Sequence, residues 1–274
     1  MFEQRRYRTT AASAVGMLEL IHVTAVRGLR EKHKSAVVGF VVDIVQTVAM
    51  LMVFYLLFQL LGLRGSAIRG DFMLFLMTGI FLYRTHIKSI GAIFSAADAV
   101  SGMMLHAPMN PVVAILGAAI GILYRQMLTV ITLLFIYHAV VTPITIHEPV
   151  GAVSMVLLAW FAGCAIGLVL YSAKPWWPRG VTVFKSIYQR ANVLASGKMF
   201  VANTMPGFVL QWFTWNPLFH TIDQARGFTF INYNPHYSSV AYPFFLSLTL
   251  IMIGLLVEFF TRRRVSVSWR SQGV

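Results

Sequence analysis

From position 150 to position 171 the chain runs for 22 residues without a charged side chain. As a helix rising about 1.5 Å per residue it is about 33 Å long, enough to cross a hydrocarbon core roughly 30 Å thick. Runs of comparable length lie at 36–63, 72–94, 111–141, 181–202 and 241–260, and 150–171 is the cleanest lipid-facing one. The whole sequence of 274 residues is 58% hydrophobic and 11% charged, more apolar surface than a water-soluble domain of this size could hide. The expected fold class is all-α integral membrane, one domain over 1–274, with six transmembrane helices. The first strongly apolar run begins near Ala36 and is far longer than a signal-peptide core, so it is expected to remain as an anchor.

Ahead of that run, Ala14, Met17, Leu18, Ile21, Ala25 and Leu29 recur at helical spacing, with Glu19, His22, Arg27 and Arg30 elsewhere on the wheel. Segment 11–34 is expected to be an amphipathic interface helix. The lysines and arginines set the orientation. Arg5, Arg6, Arg8, Arg27, Arg30, Lys32 and Lys34 precede the first span, Lys174, Arg179 and Lys185 lie around the fourth connection, and Arg262, Arg263, Arg264 and Arg270 follow the last span. The opposite loops hold only Arg64, Arg69 and Arg226. The positive-inside rule then places both termini in the cytoplasm. A net charge of +13 could suggest nucleic acid, but the basic residues mostly flank apolar runs and no soluble basic module is long enough to fold alone, so nucleic acid is not expected as a partner.

Between the fifth and sixth spans, 203–227 is apolar enough to enter a bilayer and too broken to cross it. Met205-Pro206-Gly207 interrupts any helix, because proline lacks the backbone donor and clashes with the preceding turn. A short aromatic piece holding Trp212 and Trp215 follows. Asn216 is a good N-cap, Pro217 suits the first helical position and Gly227 suits the residue past the end, so a second short helix is expected over 218–226. The segment reads as a re-entrant helical hairpin, with an outer loop carrying interfacial tryptophans as the plainer alternative.

Several basic residues fall inside the spans. Arg84 and Lys88 are four apart on one face of the second, Arg125 is central in the third and Arg190 lies in the fifth. Each costs roughly 2.5–3.5 kcal/mol at a helix centre, so such groups face a bundle interior, water or lipid phosphate. Only Asp43 and Glu258 could balance them, which implies a net cationic interior suited to an anionic cargo. The fifth span also carries a polar stripe of Lys185, Gln189, Asn192, Ser196 and Asn203, expected to line a passage or a helix interface. Tyr83, Trp160, Trp212, Trp215, Tyr233 and Tyr237 gather near the outer ends, where aromatic faces could pass sugar rings.

Motifs for chemistry are missing. Ser196-Gly197-Lys198-Met199 lacks the upstream glycine and the hydroxyl residue of a phosphate loop, and His147-Glu148 has no second histidine at metal spacing. The single cysteine, Cys164, forms no disulfide framework or thiol metal site. No catalytic residue, metal or cofactor is expected in this chain, and any ATPase would be another chain.

Trp215-Asn216-Pro217-Leu218-Phe219-His220, followed by Asp223 and Arg226, resembles the permease subunits of ABC-2 type polysaccharide exporters, in particular the capsule-export branch. Gly79 to Phe81 and Ser89-Ile90-Gly91-Ala92-Ile93 resemble the second span of that family, and the likeness extends over about 39–262. Members often carry a tryptophan and then a proline where this chain has Val42 and Thr47, and 94–111 is about one turn longer than the capsule pattern. The resemblance implies a homodimer in the bacterial inner membrane, bound to two copies of a cytoplasmic ABC ATPase that holds ATP and Mg. It also implies a coupling helix within 96–110, around Asp98, Gly102, His106 and Pro108, and an outer gate formed by Trp212, Trp215, Asn216, Pro217, His220, Asp223 and Arg226. A periplasmic polysaccharide co-polymerase and an outer-membrane exporter are candidate further partners. The expected cargo is a lipid-linked acidic polysaccharide, with Arg84, Lys88, Arg125, Lys185, Gln189, Arg190, Asn192 and Ser196 as channel residues. The alternatives are another cargo, such as a teichoic-acid-like polymer, lipid or drug, a membrane-embedded enzyme of polymer synthesis, or an ion-coupled transporter with inverted repeats.

Overall fold

A computed structural model describes the backbone of residues 10–31, 36–62, 68, 70–96 and 111–271, and side chains within 16–26, 37–62, 68, 70–96 and 111–261. Among them the chain is all helical, with no strand. Its helices are α1 (Thr10–Glu31), α2 (Ala36–Leu60), α3 (Phe72–Phe94), α4 (Pro111–Val140), α5 (Pro149–Ala173), α6 (Pro178–Ala195), α7 (Gly207–Leu210), α8 (Pro217–Thr229) and α9 (Ala241–Ser271), with a 3-10 turn at Ala202–Thr204. Among the described residues, four segments are long and apolar enough to cross a membrane: Val37–Leu60, Pro111–Val140, Pro149–Ala173 and Ala241–Thr261.

The centre of the bundle is α3, which packs against α2, α4, α5, α6 and α8. It also carries several polar groups in its second half, and burial against protein explains how it tolerates them. Thr85, His86 and Ser89 are fully buried. His86 Nδ1 lies 3.0 Å from the Ala159 carbonyl, which can only accept, so that nitrogen carries the proton and Nε2 accepts from Tyr188 Oη at 3.1 Å. Small residues on α5 make this contact possible. Ala159, Gly163 and Gly167 recur every four residues, and a Cβ added at Gly163 would fall 2.9 Å from Ser89 Cβ and closer still to the His86 carbonyl oxygen. At the other end of the sequence α1 lies along α4 and uses the same device, since a Cβ on Gly117 or Gly121 would strike Thr24 or Ala25.

Three helix ends differ from expectation. The fifth apolar segment, expected to be helical over 181–202, stops as a helix at Ala195 because Gly197 adopts φ 74°, the left-handed conformation that glycine accepts without steric cost. The second helix of the hairpin segment, expected to stop before Gly227, runs on to Thr229. Gly227 serves close approach instead of a cap: a Cβ there would meet Pro235 Cδ at 2.7 Å. The start of that helix follows the sequence, with Asn216 Oδ1 accepting from the Leu218 amide at 3.0 Å and Pro217 at the first position. The last helix extends past the apolar stretch to Ser271.

Candidate functional site

Asp43 lies about two turns inside α2 and is 2% exposed, a position where an isolated carboxylate would be expensive. Three cations from two other helices surround it. Lys88 Nζ on α3 donates to Oδ1 at 2.9 Å, Arg84 Nη2 on the same helix stands 3.6 Å from Oδ1, and Arg125 Nε on α4 stands 3.6 Å from Oδ2. Gln46, one turn beyond Asp43, accepts from both Arg84 and Lys88 at 3.3 Å. The fourfold spacing of Arg84 and Lys88 aims both at α2, and Arg125 reaches the same carboxylate from α4. The arginine side chains are each 11% exposed, whereas Lys88 is 35% exposed and marks the open side. Three formal positive charges against one negative leave the cluster with a net of two positive charges. In a low-dielectric setting such an excess attracts anions strongly.

The remaining residues expected in a channel do not join this cluster. Arg190 is exposed on α6. Lys185 Nζ lies 4.4 Å from the centre of the Phe94 ring, beside Lys174 Nζ at 4.9 Å. The polar stripe of α6 faces protein: Gln189 donates to the Ile87 carbonyl of α3 at 3.3 Å, Asn192 is buried and its Oδ1 accepts from Asn216, and Ser196 is buried at the helix end. Of the two readings of that stripe, passage or interface, these contacts are interface contacts. Asp98, Gly102, His106 and Pro108 lie outside the described residues.

The hairpin residues form a second constellation. Asn216 is fully buried, and its amide nitrogen donates to Asn192 Oδ1 and to the Ala195 carbonyl, both at 2.8 Å. Ten residues on, Arg226 is 1% exposed and donates to the carbonyls of Gly197 at 3.0 Å, Phe200 at 2.6 Å and Lys198 at 2.8 Å. These are backbone oxygens at and just past the end of α6, where unpaired carbonyls and the negative end of the helix dipole collect. The guanidinium also stacks over the Phe75 ring at 4.0 Å. Burial pulls its pKa down to about 10, opposed by Asp223 and Tyr233, so it stays charged at neutral pH. Asp223 accepts from Tyr233 Oη and from Ser238 Oγ at 2.7 Å. His220 Nε2 donates to the Thr214 carbonyl at 2.7 Å, and its Nδ1 accepts from the Ser239 amide at 3.0 Å. Burial lowers the His220 pKa, with the Thr214 carbonyl and Asp223 opposing. Asn216, His220, Asp223 and Arg226 thus bolt α8 to the end of α6 and to the loop before α9. Trp212 and Trp215 stay exposed, at 75% and 54%.

Two participants escaped the sequence reading. Gln46 could have been found, since it lies three residues from Asp43 on the same face. Lys198 is 1% exposed, with its Nζ 3.6 Å from the centre of the Tyr83 ring and 4.7 Å from that of Phe54. Its burial depends on Gly79, where a Cβ would meet Lys198 Cβ at 2.8 Å, and no periodicity announces such a pairing. Among the described residues no group of three or more metal-ligating side chains is assembled. No family model matches the chain, and no curated protein matches it in sequence.

Proposed function

We propose that the chain is the membrane permease of an ABC-2 type exporter that carries a lipid-linked acidic polysaccharide of the capsular kind outward across the bacterial inner membrane. The observation that carries this reading is the meeting of Arg84, Lys88 and Arg125 on the single carboxylate of Asp43, a net cationic cluster among apolar helices with one open side. Buried charges of this kind are expensive, and an anionic cargo is the reason they fit best.

In this proposal α3 and α6 complete six crossings with the four long apolar helices, and both termini are cytoplasmic. The helix–turn–helix of α7 and α8 enters from the outer side and turns back. Its irregular backbone is sheltered by Asn216 and Arg226, as a re-entrant segment requires. Exposed Trp212 and Trp215 would then stand at the outer mouth, where aromatic faces stack on sugar rings. A second copy of the chain completes the channel, and a separate ATPase docks near 96–110 and supplies the energy. The exposed face of α6, with Phe184, Ile187 and Arg190, would be available to that second copy.

Deleting the gene in its own host and assaying surface and intracellular polymer tests the proposal. Loss of surface polymer with accumulation of lipid-linked chains inside is expected. Loss of both pools would point to synthesis, and no change in either would point to another cargo.

A further inference from the structure

Three cations converge on the Asp43 carboxylate, and its hydrogen bonding does not match their number. Only Lys88 makes a hydrogen bond to it, while Arg84 and Arg125 stop at 3.6 Å, beyond hydrogen-bond reach. Asp43 Oδ2 and Arg84 Nε are both buried and have no hydrogen-bond partner. The mismatch is geometric. A carboxylate offers two oxygens in one plane, and the donors approach from α3 on one side and α4 on the other. A phosphate offers at least two free oxygens arranged tetrahedrally, and guanidinium groups bind it by paired, charge-assisted bonds. Asp43 also arrives from a different helix than any of the cations, so α2 can withdraw it without disturbing the arginines. Lys88, the most exposed of the three, leaves a side for the exchange.

We infer that the cluster is a binding site for a phosphate ester, and that Asp43 is the resident counter-ion which the phosphate displaces from Arg84, Lys88 and Arg125. The inference rests on the proposed role of this cluster in meeting the cargo, and it names the group of the cargo that is held. Asp43 sits seven residues from the start of α2, about 10 Å along the helix axis. A lipid phosphate held there would lie below the headgroup plane, drawn into the bundle. With the site empty, Asp43 keeps the cations from repelling one another; with it filled, the returning carboxylate competes for them and favours release. No bond is made or broken.

The test uses the purified full-length chain in phosphatidylcholine nanodiscs, with phosphatidic acid in the disc or inorganic phosphate in the buffer as probes and glucuronate as a carboxylate control. The readout is the unfolding temperature as a function of probe. Saturable stabilisation by a phosphate probe, weakened about tenfold by Lys88→Gln and strengthened about tenfold by Asp43→Asn, is expected, each factor corresponding to about 1.4 kcal/mol. Asp43→Asn should also unfold at a lower temperature than the parent without probe and recover with it. A response to phosphatidic acid alone assigns the site to a lipid headgroup, a response to inorganic phosphate alone to a water-borne phosphate, and both support the inference. Equal stabilisation by glucuronate, or an Asp43→Asn protein that no phosphate rescues, overturns it. Should Asp43→Asn fail to accumulate, Lys88→Gln decides, and unchanged phosphate binding there overturns the inference. Binding is read without transport, so phosphate binding in a chain whose deletion leaves export intact sinks the export proposal alone.

Discussion

Lys88 donates to Asp43 at 2.9 Å across 45 positions of sequence, and this bond ties α3 to α2 at the centre of the cationic cluster. Its two ends are not equivalent. Asp43 is buried and faces three cations, so its removal takes away the counter-charge they share; Lys88 is 35% exposed and leaves two arginines behind beside the carboxylate. Asp43→Asn is expected to lower stability in a phosphate-free neutral bilayer by about 3 kcal/mol. Lys88→Gln should change it by less than about 1 kcal/mol, because solvent screens the exposed partner. Equilibrium unfolding in phosphatidylcholine discs checks both, and equal losses would mean that the pair acts alone and not as part of a cluster.

Under the proposed function, export should depend on the same cations in a different way. The double variant Arg84→Gln, Lys88→Gln removes the site's positive excess, leaving Arg125 against Asp43 and no net charge. Surface polymer is expected to fall at least about tenfold, the scale of one or two lost charged contacts, with insertion in the membrane unchanged. Unaltered export of an acidic polymer would remove these residues from the transport path.

Arg226 is expected to be the least replaceable side chain of α8. It supplies a rigid fork to three carbonyls that have left the helical ladder at Gly197, Lys198 and Phe200. Lysine keeps the charge but cannot reproduce the fork. Arg226→Lys should therefore cost about 2 kcal/mol or more, and Arg226→Gln more again. Hydrogen exchange is the discriminating measurement, since the loss should appear as faster exchange over 196–229, with α4 and α5 unaffected.

What the sequence made legible divides along a physical line. Helix positions followed from apolar runs and from local chemistry, as at Asn216, whose side-chain oxygen caps α8 by accepting from the Leu218 amide. The cluster was half legible: spacing put Arg84 and Lys88 on one face and marked Asp43 as a scarce counter-ion, but nothing local says that Arg125 meets the same oxygen pair. In segment 203–227 the Asn216 cap and the Pro217 start of α8 were legible, whereas the roles of His220, Asp223 and Arg226 depend on carbonyls and hydroxyls brought together by the tertiary fold. Gly227 misled because glycine serves both caps and close contacts, and only the ring of Pro235 distinguishes them. The polar stripe of α6 could equally have met water or protein, since periodicity identifies a face without naming its neighbour.

Glycines in the helices separate contact from flexibility in a testable way. Gly163 lies against His86 and Ser89 of α3, and Gly91 has nothing within 4 Å of the place a Cβ would take. Gly163→Ala should push α5 from α3, weaken the His86 bond to the Ala159 carbonyl and cost about 1–3 kcal/mol. Gly91→Ala should be neutral or stabilise α3 by up to about 1 kcal/mol, as expected for the better helix former. Unfolding temperatures of the two variants should move in opposite directions, and a common direction would show that the α3–α5 contact is looser than the structure has it.

His220 should make stability depend on pH. An unfolded histidine titrates near 6.5, and burial lowers this one, partly offset by the Thr214 carbonyl and Asp223. In the window between the folded and unfolded values the unfolded chain binds the extra proton, so stability rises with pH there. The contribution is whole above about 6.5 and is lost as pH falls from that point toward the folded value. The structural reason is that Nδ1 accepts from the Ser239 amide, and a proton placed on Nδ1 turns that bond into a clash of two donors. Acidification should therefore loosen the joint between α8 and the loop leading to α9, and amides near Ser239 should exchange faster as pH is lowered, after correction for the intrinsic rate. His220→Gln retains a donor for the Thr214 carbonyl without titrating, and is expected to abolish this acid-induced loosening. An unchanged acid response in that variant would assign the titration to another group.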